Sequence, residues 1–375
     1  MIDLLVLIIF TTIFAYVIQC RTYMYDSARE GIREDIQSKI VFIGIFVAFI
    51  LFAGLRSKYN DTTTYMQGFE LIDVNNLKLS TLFEPYGGFK LYQQVLKKYI
   101  SDNPQIFIFV SAIITNVLYL VFYTRHTNRY SGMIFLYGIG NYLGSMAGIK
   151  QSIAVGISLY AIEAYLEKKY IKGILLILFA MTFHPYIVCL LCIPFLKNRI
   201  WDGKTIFVII LCVLAFMNMD KVFAIFNIIG QDYSNEIFDN YTINPIRVLV
   251  EAVPVMISYV YKRELNESDN KLLILGMNMR IISFVFIAMG LFVNPIYFGR
   301  MSSYFTGLST IAIPEMLNLI WKENRNRKVY IMGYYIFFLA YFLMDMTKIG
   351  SISIFYDQFN HIPLNSLFMR KGLMY

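Results

Sequence analysis

The sequence predicts an all-α, polytopic membrane protein, a transmembrane helical bundle of about ten spans plus one re-entrant hairpin. Three observations carry that prediction. The 375 residues are 58% apolar and 17% aromatic, with a mean hydropathy of +0.56, above the roughly 45–50% apolar content of soluble domains. Apolar runs of about 15–24 residues recur from end to end, separated by short charged connectors. The longest connectors, 56–104 and 345–375, have room for short helices but not for an independent core, so residues 1–375 read as a single integral membrane domain.

The elements follow in chain order. Residues 2–20 form the first span, apolar from its start and without the basic stretch or cleavage site of a signal peptide. Residues 21–39 hold Arg21, Arg29, Arg33 and Lys39 and read as cytoplasmic, which puts the N-terminus outside. Span 40–55 then runs into LFAGLRSKYNDTTTY (51–65), which sets Arg56, Lys58, Tyr59, Asp61 and Tyr65 at an outer helix mouth. The outer loop 56–104 includes an amphipathic helix at 86–100, with Phe89, Tyr92, Val95, Leu96 and Tyr99 opposite Lys90, Lys97 and Lys98, expected to lie on the membrane surface. Residues 105–123 return inward and 131–147 go out, carrying Gly140 and Gly144 at a spacing suited to close helix packing. Span 149–166 begins outside with Lys150 and Gln151 and ends at Lys168, Lys169 and Lys172.

The parity of the remaining spans turns on 173–196. A single crossing there would put the basic connector 197–204 outside and the acidic stretch Asp232, Glu236, Asp239 inside. The stretch is therefore read as a re-entrant hairpin bent at His184 and Pro185, because Pro removes a helix donor and disfavours the α conformation before it. Spans 205–219, 246–261, 272–293, 301–320 and 329–344 then alternate, and the tail from Asp345 is extracytoplasmic. On this topology 19 of the 33 Lys and Arg lie in inner connectors, so the net charge of +8 reflects orientation in the membrane and not nucleic-acid binding.

Several polar groups stand out against this background. Arg56 with Asp61 suits either a positioning pair at a helix end or a site in which the planar guanidinium meets phosphate and a partly dehydrated carboxylate takes a proton. Lys150 and Gln151 open an outer helix end, and Arg300, Ser302, Ser303 and Tyr304 stand at another, where a helix N-terminus would add backbone donors. His184, near the middle of an apolar run, reads as a packed residue or a functional one, and Arg280, half way through its span, needs a carboxylate, carbonyls or a ligand phosphate. Cys189 and Cys192 have C-x-x-C spacing but no second pair, and no metal site, P-loop or nucleophile elbow is found in the sequence.

The order Arg56, Asp61, Tyr65, then Lys150-Gln151-Ser152-Ile153-Ala154, then Phe183-His184-Pro185, then Arg300 with Tyr304-Phe305 resembles the EpsG-type membrane proteins, grouped with Wzy-like polymerases of O-antigen, capsule and exopolysaccharide. The resemblance implies a GT-C-like glycosyltransferase of the bacterial inner membrane, working on the outer face without metal or other cofactor. Donor and acceptor would both be undecaprenyl-diphosphate-linked oligosaccharides, with membrane lipid and a chain-length regulator protein as further partners. Carried over, Asp61 and His184 are the catalytic candidates, and Arg56, Tyr65, Lys150, Gln151, Arg300 and Tyr304 the diphosphate- or substrate-binding ones; Arg280 joins the latter on its place within its span alone. Lys150 departs from the usual Arg, keeping the charge and losing the fork, and Asn60 replaces a smaller residue. A flippase for the same lipid-linked glycan is the alternative, which would be expected to show internal repeats. A single-addition glycosyl- or acyltransferase is the other.

Overall fold

A computed structural model describes residues 2–26, 36–75, 78–218, 243–292, 295–347 and 360–368. Helices start where the sequence supplies caps. Asn103, Asp202, Asn244 and Asn270 each accept a hydrogen bond from a first-turn N–H, and Pro104 and Pro245 take the first helical position, where no N–H is needed. Five described helices contain stretches long and apolar enough to cross a membrane: Ile2–Thr22, Gln37–Gly54, Pro104–His126, Lys271–Met289 and Arg327–Asp345. Shorter apolar helices occupy Tyr170–Phe183, Pro185–Leu196, Gly203–Met217 and Ser309–Ile320. The protein is thus a helical membrane protein. Contacts group the chain into two compact units, Met1–Gly156 with Leu343–Tyr375, and Ile157–Phe342.

In the first unit, helix Ile2–Asp26 packs on Tyr130–Ile139 and helix Ile36–Gly54 packs on Pro104–His126. Its core is aromatic, with Phe49, Tyr119, Tyr123, Tyr137 and Tyr142 all buried. Such rings fill space efficiently, and their hydroxyls need partners. Tyr137 donates to Asn116 Oδ1 (2.9 Å), Tyr142 donates to the Phe49 carbonyl (2.8 Å), and Asn141 donates to Tyr123 (3.2 Å).

Two expectations for this unit are corrected. The span 131–147 is two helices, Tyr130–Ile139 and Asn141–Ala147, broken at Gly140, whose ψ of −96° no helix can continue. Nor do Gly140 and Gly144 make the close helix contact: a Cβ at Gly144 would meet nothing within 4 Å, whereas one at Gly138 would stand 2.9 Å from Ile8. A further finding concerns the connector 56–104. Helix Gly87–Tyr99 is amphipathic, but Phe89 and Leu96 are buried in protein and Tyr92 reaches Ser111 at 2.9 Å. Lys97 donates to the carbonyls of Glu70 and Ile72 (2.6 and 2.9 Å), and the chain itself covers Phe89 and Leu96 of the apolar stripe, while Val95 and Tyr99 stay exposed.

The second unit is built around helix Lys271–Met289, buried on nearly every side by helices Gly203–Met217, Pro245–Val260, Pro295–Tyr304 and Ser309–Ile320. Gly276 permits this approach, since a Cβ there would lie 2.5 Å from that of Ala312. Asn278 ties the next connector down by donating to the carbonyls of Leu196 (2.7 Å) and Arg199 (2.9 Å). Helix Tyr170–Phe183 ends at His184, and a tight helical turn Pro185–Cys192 folds back beside it. Lys197 then donates to the Tyr170 hydroxyl at 3.0 Å, which brings the two ends of the segment together. The expected span 301–320 is likewise two helices, Pro295–Tyr304 and Ser309–Ile320, with a turn at 305–308. Asp232, Glu236 and Asp239, on which the parity argument drew, lie outside the described residues.

Candidate functional site

The mouth at the end of helix Ile36–Gly54 in the first unit is organised by Arg56, which is 1% exposed. Helix Ile36–Gly54 leaves its last carbonyls without intrahelical donors, and Arg56 returns to meet one of them, Ala53. Its other nitrogens donate to the Met146 carbonyl and to Thr62 Oγ1, both at 3.1 Å. Gln105 completes the brace by donating to the carbonyls of Gly54 (2.7 Å) and Arg56 (3.0 Å). Burial pushes the Arg56 guanidinium down to about 10, opposed by the nearby Tyr142, Tyr59 and Tyr65. It stays charged at neutral pH. Because the folded value lies below the free one, this group makes stability depend on pH only above about 10, where stability rises with pH. All three of its nitrogens are thus held by the chain itself, at a buried position behind the mouth.

Asp61 follows as the N-cap residue of helix Thr62–Glu70, exposed and making no side-chain capping bond. Asn60, the unusual residue before it, has a φ of 46°. Among non-glycine residues Asn tolerates that left-handed conformation best, which accounts for its presence here. Tyr86 is also left-handed, at φ 58°.

Lys150, the first-turn residue of helix Ile149–Leu166, is half-buried among aromatic rings. Its Nζ lies 4.4 Å from the ring centre of Tyr86, 5.8 Å from Phe89 and 6.0 Å from Tyr65. A desolvated ammonium over ring faces is attracted by about 2 kcal/mol or more, and an exposed one by about 0.5–1 kcal/mol. Gln151 lies beside it, half-buried. The C-terminal tail, to which the sequence lends no role, closes the mouth. The strand Asn360–His361 pairs antiparallel with Arg56–Lys58, and Ile362 N–H donates to the Leu55 carbonyl at 3.0 Å. The His361 Nε2–H donates to the Phe52 carbonyl at 3.0 Å, and Asn103 donates to the carbonyls of Ser366 and Leu367 at 3.3 and 3.4 Å.

The second unit brings His184 and Tyr304 together, with Nδ1 and the phenol oxygen 2.7 Å apart and both residues buried. His184 can stand there because Pro185 forces its backbone into an extended conformation at the helix end. Arg280, 8% exposed, takes the first of the three partners open to it, a carboxylate, that of Glu251. Glu251 was legible only as one lone carboxylate in an apolar run facing one lone arginine in another. The helix-start setting expected of Arg300 is not found. The helix begins at Pro295, so Arg300 is its sixth residue, about 7.5 Å along the axis from those backbone donors. Ser302 instead pairs with Ser283 (2.8 Å), joining this helix to Lys271–Met289.

The structure therefore joins Lys150 with Tyr65, Arg56 with the turn that bears Asp61, and His184 with Tyr304, each within one unit. The family model described as the EpsG family matches residues 39–361. The chain belongs to the EpsG family. This is a family of Wzy-like polysaccharide polymerases and glycosyltransferases. The EpsG match takes in both strands of the mouth, Lys150, His184 and Arg300, and closes on His361 itself. No curated protein and no solved structure matches the chain.

Proposed function

We propose that this EpsG protein polymerises undecaprenyl-diphosphate-linked oligosaccharide repeats on the outer face of the bacterial inner membrane. The observation that carries the reading is the mouth of the first unit, where an exposed carboxylate, Asp61, and a half-exposed ammonium, Lys150, are held on one braced scaffold inside the EpsG match. An acceptor hydroxyl attacks the anomeric carbon of the donor glycan, the carbon–oxygen bond to phosphate breaks, and undecaprenyl diphosphate leaves with the electron pair. Asp61 takes the acceptor's proton. Lys150 meets the developing phosphate charge, and buried Arg56 adds positive potential behind it without touching the ligand. Within the second unit, Tyr304 orients the His184 ring, and Arg300 is that unit's own candidate cation. Arg280 is neutralised by Glu251 and supports the bundle. Gln151 and Tyr65 line the approach to Lys150. The ten spans, the re-entrant segment around His184 and a GT-C-like architecture belong to the same reading.

The test is gel analysis of surface glycan from a strain lacking the protein and complemented with wild type or Asp61→Ala at equal membrane level. The expected result is a ladder that collapses to a single repeat in the deletion and stays collapsed with Asp61→Ala. A full ladder with Asp61→Ala removes Asp61 from the chemistry. Loss of all surface glycan, with repeats trapped on the inner side, replaces the polymerase with a flippase.

A further inference from the structure

The rings around Lys150 come from three places in the chain: Tyr65 from helix Thr62–Glu70, Tyr86 from the turn before the next helix, and Phe89 from helix Gly87–Tyr99. Tyr86 is the nearest ring, and its left-handed backbone is a conformation that a tyrosine keeps only where its surroundings dictate it. Gly87 shows the constraint, since a Cβ there would stand 1.9 Å from the Thr81 carbonyl oxygen. The turn thus pins the Tyr86 ring against the ammonium, while Tyr65, Tyr86 and Lys150 all keep partial exposure.

An ammonium resting on ring faces is held by the ring quadrupole. A phosphate offers it a full negative charge and a charge-assisted hydrogen bond. Movement of Nζ from ring to phosphate uncovers an electron-rich apolar face beside the new ion pair. The C–H face of a pyranose, apolar and faintly positive, matches that surface.

We propose that the Tyr65–Tyr86–Phe89 collar is the seat of the sugar–phosphate junction of a glycosyl diphosphate lipid, with the Lys150 ammonium held on Tyr86 until the phosphate draws it off and the first sugar takes its place on the ring. The identity of the ligand rests on the polymerase reading.

The test uses the full chain in lipid nanodiscs and two probes, farnesyl diphosphate and the same lipid diphosphate carrying one hexose. Wild type is expected to bind the hexosylated probe about tenfold more tightly, the scale of one well-placed aromatic contact. Tyr86→Asn removes the ring and suits the left-handed backbone, and it is expected to abolish the preference, so that the two probes bind alike. Tyr86→Phe restores the preference, and Lys150→Met weakens both probes. Equal binding of the two probes by wild type overturns the proposal. So does a preference that survives Tyr86→Asn, or a loss with that variant that falls equally on both probes. A polymerase failure would appear in the glycan ladder, whereas failure here appears in the ratio of two affinities.

Discussion

At the scale of single residues, this protein uses arginine in two different ways inside an apolar body. Arg56 is surrounded by backbone carbonyls and a threonine hydroxyl, so its charge is solvated by the chain. Arg280 is balanced by Glu251, whose side chain is 22% exposed. Removing one partner of such a pair leaves the other charge buried and uncompensated, a loss of about 3–5 kcal/mol, whereas replacing both with apolar groups is often close to neutral. Glu251→Gln is therefore expected to lower the thermal unfolding midpoint in detergent, and Glu251→Gln with Arg280→Met to recover most of the loss. An unchanged midpoint in the single variant would show that the pair carries no structural weight. The arginine itself was legible in the sequence, because a charge half way through a span demands a partner. Which partner was not, since a lone carboxylate two helices away carries no local pattern.

At the scale of elements, what was legible depended on whether the determining interaction is local. Helix Ile149–Leu166 coincides with the apolar run, and the break at His184 follows from Pro185, one residue away. The breaks at Gly140 and at 305–308 were missed because hydropathy continues across them while the backbone does not. The amphipathic helix Gly87–Tyr99 was found from its periodicity, but periodicity identifies an apolar face without saying what covers it, and here helix Pro104–His126 and its neighbours do. The strand Asn360–His361 was invisible for a stronger reason. Two residues have no period, and their partner lies more than 300 residues away in sequence. Ending the chain before residue 360 is expected to leave the Leu55 and Phe52 carbonyls without these donors and to abolish the polymer ladder at normal membrane level. A full ladder from that truncated protein would reduce the tail to an ornament of the mouth.

At the scale of the whole molecule, the closed segment from Tyr170 to Lys197 decides the orientation of the spans that follow it. Their side chains meet at 3.0 Å, so both ends of the segment belong to one side of the membrane if it is re-entrant. Single cysteines at 170 and 197, in a background without native cysteines, are expected to be protected together from an impermeant thiol reagent added outside, and to react together once the membrane is opened. Labelling of position 197 alone from outside would turn the segment into a crossing and invert every later span. The pairing of His361 with the mouth also sets an order in time. Phe52 and His361 are 309 residues apart, and at a synthesis rate of about 5–20 residues per second the ribosome needs roughly 15–60 s to travel between them. Throughout that interval the first helices have been made while the mouth lacks its last strand. On the proposed reading, completion of the mouth is tied to translation of residue 361, and nascent chains are expected to stay inert until that strand is added.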